Sequence, residues 1–192
     1  MELLNTCEMI KAKYREKRIA YKYICEYLVK LVKDFRDEIA KTLETSNREI
    51  SYLDKNFEGL PCLFIDLSSD GIQKRPDEIN LEDVSIDRQY ESSVLYYIDY
   101  SIKMYLGLDP FDERGKFISI PYRTGLFCNK WVGEDDYKIS HEEIMIQAKV
   151  VKRKGFEEED VLFCKSRSEY YQKIFEAVDD FIRRVREEIK NS

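Results

Sequence analysis

Glycine and proline are missing from the first third of the chain. Neither occurs before Gly59, and all 192 residues hold only 7 Gly and 4 Pro. Their absence excludes Gly/Pro-built turns from that stretch and leaves it free to form long helix. Histidine is nearly absent too. His141 stands alone, inside a helix-capping pattern, and a Cys–His pair with Cys128 or Cys164 has little to support it. The five cysteines (Cys7, Cys25, Cys62, Cys128, Cys164) are scattered, odd in number and form no C-x-x-C pair. This spacing suits neither a disulfide framework nor zinc; reduced thiols and a cytoplasmic location are expected. No run of 18 apolar residues exists, and the basic stretch from Lys11 to Lys22 falls where a signal peptide would stay apolar. No membrane partner and no leader are therefore expected. The two usual nucleotide loops, G-x-x-x-x-G-K-[ST] and G-x-G-x-x-G, are also absent.

What is present is charge on an adequate apolar base. Charged residues make up 36%, apolar ones 43% and aromatic ones 13%. That fits one domain with a core, or one domain with a helical extension. The net charge of −6 is uneven: residues 1–57 carry +2 and residues 58–192 carry −8. An acidic whole argues against general nucleic-acid binding, whereas the basic N-terminal region keeps a local site open.

The strongest pattern is a heptad seam. Leu3, Cys7, Ile10, Tyr14, Lys17, Tyr21, Ile24, Leu28, Leu31 and Phe35 recur at steps of four and three. The mean step of 3.5 is the coiled-coil period. Steps of four then lead to Ile39 and Leu43, a stutter that relaxes a left-handed supercoil. Ser46 and Glu49 form a capping box, so the spacing predicts helices over 2–44 and 47–57, with one bent helix as the alternative. Lys17 interrupts the seam, and a buried charge there would cost several kcal/mol unless paired or reaching water.

Leu60 to Leu67 reads as a short strand with Leu63, Ile65 and Leu67 on one face, and residues 73–87 read as a polar loop. Tyr90 to Leu108 alternates like a strand but is long and ends in a Gly107/Pro110 stop, so a buried helix is predicted. Residues 116–133 predict a hairpin turning at Pro121 to Gly125. A capping box at Ser140 to Glu143, followed by Lys152-Arg153-Lys154 and Gly155, predicts another helix, against a strand-like alternation at Ile144, Ile146, Ala148 and Val150. Val161 to Lys165 predicts a short strand. Ser166 and Glu169 then cap an amphipathic helix over 167–190 carrying Tyr171, Ile174, Val178, Phe181, Val185 and Ile189. The expected fold is α+β: a long N-terminal helical arm, possible as a helical hairpin, over 1–57; then a body over 58–192 with a small mixed or antiparallel sheet and the C-terminal amphipathic helix.

Three surfaces carry candidate chemistry. Leu3, Ile10, Lys17, Ile24, Leu28, Leu31 and Phe35 form an interface stripe for self-association or a protein partner; Leu28→Glu is expected to dissociate it. Lys11, Arg15, Arg18 and Lys22 lie on one helix face and suit an acidic partner or nucleic-acid phosphates. Asp66, Ser68 and Asp70 with Gly71 resemble the start of a calcium loop, and a hard cation such as Mg²⁺ or Ca²⁺ needs such converging oxygens. Gln147-Ala148-Lys149, with Asp135 or Asp136 upstream, resembles the Q-x-K variant of the restriction-endonuclease-like pattern. That pattern places the motif on a strand and implies metal-dependent phosphodiester cleavage. The reading preferred from sequence is an interaction or regulatory protein needing no cofactor. A metal-dependent phosphodiester-cleaving enzyme using Asp66 and Asp70 is the alternative, and non-catalytic nucleic-acid binding the second.

Overall fold

The computed structural model describes residues 2–45, 62–67, 83–87, 93–108, 115–129, 142–152 and 155–191; within these elements the side chains of 2–5 and 13–20, among others, are left undescribed. The fold is α+β, with helices at both ends of the chain and an antiparallel six-stranded sheet between them. Helix α1 spans Glu2–Thr42 and α2 spans Arg167–Asn191. The strands are β1 (Leu63–Asp66), β2 (Ser85–Asp87), β3 (Ser93–Leu108), β4 (Gly115–Asn129), β5 (Glu142–Lys152) and β6 (Gly155–Cys164). Their order is β1-β3-β4-β5-β6, and β2 pairs with the other end of β3.

Helix α1 is continuous through the stutter and stops just short of the expected cap. Glu44 takes a left-handed φ of 53°, and the Thr45 N–H donates to the Ala40 carbonyl at 2.8 Å. This is a Schellman closure, which satisfies end carbonyls that the helix itself leaves open. The helix expected over 47–57, with its cap at Ser46, lies outside the described residues.

Four sequence expectations change. Ser85–Asp87, expected at the end of a polar loop, is strand β2. The segment over 90–108 is strand β3, not helix. Val94, Tyr96, Ile98, Tyr100 and Ile102 all point into one core, so the alternation was the true signal. Gly107, read as a helix stop, has φ +119° and sits at a β-bulge between the Tyr105 and Gly107 pairs. The 116–133 hairpin is instead one strand, β4, running through Pro121 and Gly125. Pro121 is tolerated because β5 pairs with β4 only from Tyr122 onward, so the missing N–H falls where β4 borders β3 alone. Gly125 serves close approach rather than a turn: a Cβ there would lie 2.8 Å from Leu95 Cδ1 and 2.9 Å from Met145 Cε. The helix expected at 140–152 is strand β5, with Ile144, Ile146 and Ala148 buried on one face, and Gly155 pairs with Lys152 to close a β5–β6 hairpin.

Both helices lie on the same face of the sheet. Tyr122 of β4 joins the layers: its ring meets Phe35 of α1 edge-on at 5.2 Å, Phe181 of α2 at 6.5 Å and Tyr100 of β3 at 6.2 Å. Its hydroxyl donates to Asp180, which Arg184 also holds at 2.7 Å. The Tyr170 hydroxyl donates to the Leu31 carbonyl at 2.9 Å and ties α2 to α1. Ser166 Oγ accepts from the Glu169 N–H at 3.2 Å, the cap expected for α2, while the Glu169 carboxylate reaches one residue further back than a capping box does and accepts from the Lys165 N–H at 2.8 Å. On α2, however, Tyr171 and Ile189 are exposed, and Tyr170 and Ala177 take core places beside Ile174, Val178, Phe181 and Val185. Both edges of the sheet are guarded. Arg36 donates twice to the Leu63 carbonyl on β1, and β6 presents exposed Glu157, Glu158, Glu159 and Asp160.

Candidate functional site

Helix α1 divides along its length. Ile24, Leu28, Leu31 and Phe35 are at most 2% exposed, packed against the sheet and α2. These four interface residues are therefore consumed by the chain's own core and are withdrawn from the surface open to a partner. Residues 6–12 are all exposed, with Met9 at 60% and Ile10 at 62%. The side chains of Leu3, Arg15, Lys17 and Arg18 lie outside the described residues. Lys11 and Lys22 are exposed, and each meets an acid of its own helix: Glu8 at 3.1 Å and Glu26 at 3.5 Å. Such exposed i,i+3 and i,i+4 pairs contribute only about 0.3–0.5 kcal/mol. Both lysines thus remain available to a stronger acceptor.

Beyond Tyr23, α1 and α2 enclose a groove of about 670 Å³ on the surface away from the sheet. Lys30, Asp34 and Glu38 form one wall; Arg167, Tyr171 and Phe175 form the other. The Tyr171 hydroxyl donates to Asp34, and Lys30 holds the same carboxylate at 2.8 Å. Arg167 lies 5.1 Å from the Tyr27 ring and 5.8 Å from the Tyr171 ring, within cation–π range. Phe175 is 56% exposed at the rim, so an apolar ring stands in water beside neutralised charges. In the sequence Tyr171 falls on the expected buried stripe of α2, which hides the second face that it shares with Phe175. Their i,i+4 spacing, offset by one from Tyr170 and Ile174, is the signal for a second apolar face.

The far face of the sheet carries a charged lattice across four strands. Arg123 of β4 donates to both oxygens of Asp99 on β3, at 2.7 and 3.0 Å, and meets Glu158 of β6 at 3.1 Å. Lys149 of β5 bridges the same two acids at 2.8 and 3.7 Å. The Tyr97 ring lies 4.2 Å from the guanidinium. Partial burial would raise the Asp99 carboxyl, but hydrogen bonds from Arg123 and Lys149 outweigh it and hold the group below its ordinary value. The Q-x-K motif sits here on a strand, as the nuclease pattern requires. Its Gln147 amide, however, donates to Asp160 at 2.8 Å, and Lys149 is engaged with two acids. Two bases and two acids in mutual contact leave no net charge for a phosphate or a metal. Asp135 and Asp136 lie outside the described residues.

Asp66 is 6% exposed and forms an ion pair with Lys103 of the neighbouring strand. Ser68 and Asp70 lie outside the described residues, as does His141. Among the described residues no three His, Cys, Asp or Glu side chains converge as metal ligands. Burial, with the Glu142 carboxylate adding to it, pushes the Cys128 thiol up to about 12; burial pushes Cys164 up to about 11. Both stay protonated at neutral pH and are poor nucleophiles. No described helix is long and apolar enough to cross a membrane. The chain matches no protein-family model, no curated protein and no solved structure. The geometry of its own surfaces must carry the functional reading.

Proposed function

We propose that this is an interaction protein whose N-terminal helix serves as an association arm. One observation supports the reading above all. A single helix is core from Ile24 to Ala40, yet from Thr6 to Ala12 it stands in water with Met9 and Ile10 more than half exposed. Isolated helices of about 12–15 residues are marginal in water, so an extended arm gains its order most readily from what it packs against. Burying a side chain the size of Met9 or Ile10 contributes about 1.5–3 kcal/mol. The residues expected to carry association are Met9 and Ile10, with Leu3 and Lys17 as the remaining seam positions, rather than the buried Leu28.

The test is the mass of the chain in solution. Light scattering at micromolar concentration should give more than the 23.0 kDa of one chain. The double variant Met9→Glu/Ile10→Glu should return that mass to a single chain with an unchanged circular-dichroism spectrum. A wild-type monomer whose mass the double variant leaves unaltered would sink self-association. Salt-sensitive binding of an oligonucleotide, lost on charge removal at Lys11 and Lys22 without a change in mass, would instead transfer the arm to nucleic acid.

A further inference from the structure

We infer that the arm's seat is the groove between α1 and α2 of a second copy, giving an antiparallel pair with its two-fold axis near Tyr23. The inference rests on the arm being an association element, and it adds the occupant and the geometry. Tyr23, Tyr27, Lys30, Asp34 and Glu38 follow one another at steps of four, three, four and four, so they share a stripe along α1. This stripe runs one residue before the core seam of Ile24, Leu28, Leu31 and Phe35, about 100° round the helix from it. It therefore faces α2, with Tyr27 buried beneath Arg167, and its Lys30, Asp34 and Glu38 line the groove. Met9, fourteen residues before Tyr23, falls within about 40° of the same line. Along this one line lie the exposed apolar side chains Met9 (60%) and Tyr23 (52%), and beside its far end Phe175 (56%).

The helix that carries the arm cannot bend back into its own groove, since α1 is continuous from Glu2 to Thr42. The occupant is therefore another chain, and the charges favour another copy's body over another copy's arm. Residues 1–22 hold six Lys/Arg against three Asp/Glu, a net of +3, and residues 23–192 hold a net of −9. Arm against arm repels, whereas the groove's own charges balance, Lys30, Lys41 and Arg167 against Asp34, Asp37 and Glu38, and receive a basic arm without that repulsion. Met9 and the middle of the groove's α1 wall are about 40 Å apart along the helix at 1.5 Å per residue. An antiparallel partner that sets the arm in the groove at one end does so at the other by symmetry, with Tyr23 midway. A two-fold contact of this kind closes on itself and does not propagate into fibres.

Phe175→Glu tests the seat. The residue is more than half exposed, so the variant should fold as the wild type does and yet lose the dimer mass. A cross-link tests the direction. With Cys7→Ser and Cys62→Ser as background, since the other three cysteines are buried, Met9→Cys combined with Glu38→Cys should give a covalent dimer with a short bismaleimide, and neither single variant should do so. The two positions of one chain are too far apart on a straight helix to link internally. If Phe175→Glu keeps the dimer mass while Met9→Glu/Ile10→Glu loses it, the arm associates but this groove is not its seat. If Met9→Cys alone cross-links, the arms lie side by side and the antiparallel pair is overturned. If the wild type is a monomer, this inference and the reading beneath it both fall.

Discussion

Ile10 and Leu31 occupy the same heptad position three repeats apart on one helix, and they meet opposite fates. Leu31 is fully buried against the sheet and α2; Ile10 is 62% exposed. Nothing in the local sequence distinguishes them, since both are large, apolar and correctly spaced. What separates them is where the rest of the chain lies. Among the described side chains beyond Ala12, the first on the seam to meet the body is Tyr21, whose ring meets Tyr96 of β3 at 6.2 Å. A heptad seam thus states that a helix has a side to bury and leaves open what will bury it. Here the chain's own sheet takes the second half.

The largest expected effect sharpens that contrast directly. Leu31→Ala should cost about 2–5 kcal/mol of folding stability through lost burial and an unfilled cavity. Ile10→Ala should stay within about 0.5 kcal/mol under conditions where the chain is monomeric. Urea denaturation followed by tryptophan and tyrosine fluorescence measures both. Equal losses would mean that the arm is part of the folding unit, and the division of α1 would fail. Leu28→Glu belongs with Leu31→Ala: it should unfold the chain rather than dissociate an assembly, because a carboxylate would be placed in a fully buried site.

A smaller effect asks what holds the buried half. The Tyr170 hydroxyl reaches the Leu31 carbonyl from α2, and Ser166 caps the start of that helix. Ser166→Ala should cost about 0.5–2 kcal/mol. Tyr170→Phe should cost about 0.5–1.5 kcal/mol, the net contribution of one hydrogen bond. If either left the denaturation midpoint unmoved, α2 would not be the clamp on α1 that its contacts describe.

The same division explains which parts of the fold could be read from residues alone. Both terminal helices were legible because their apolar spacing is long and free of Gly and Pro, and Ser166 with Glu169 gave the α2 cap to the residue. The central strands were misread wherever a local punctuation mark outweighed alternation. Gly107 looked like a helix stop and is a bulge; Pro121 to Gly125 looked like a turn and lies inside one strand. Strand β3 is 16 residues long, well beyond the usual strand, and that length favours helix; β4, at 15 residues, reads instead as two short strands and a turn. Strand β6 was half-seen because its acidic stretch, exposed at the sheet edge, has no apolar period to detect. The groove was invisible for a different reason. It exists only because α2 packs beside α1, a pairing of residues more than a hundred positions apart, as Tyr171 with Asp34 shows.

The smallest effects fall at the junction of the two halves. Tyr27 is 6% exposed, and its hydroxyl has no hydrogen-bond partner among the described residues. Burial, then the nearby Glu142 carboxylate, pushes that hydroxyl far above its ordinary pKa, so it stays neutral. Tyr27→Phe removes a buried, unpaired polar atom and keeps the ring under Arg167. It should be neutral or slightly stabilising, unlike Tyr170→Phe, where the hydroxyl is used. Glu142 gives the pH signature of the same place. Burial raises its carboxyl, and Arg167 only partly draws it back. A raised folded-state pKa means that its protonation favours the folded form. That contribution is complete below the unfolded value of about 4.3 and is lost as pH rises through the folded value. Glu142→Gln should therefore be more stable than wild type at pH 7, with the gap closing as the pH falls to about 4. Denaturation midpoints at the two pH values decide it: a gap that persists or widens in acid would mean that the carboxylate is held by a partner and is not merely desolvated. The junction would then be a paired site instead of a merely desolvated one.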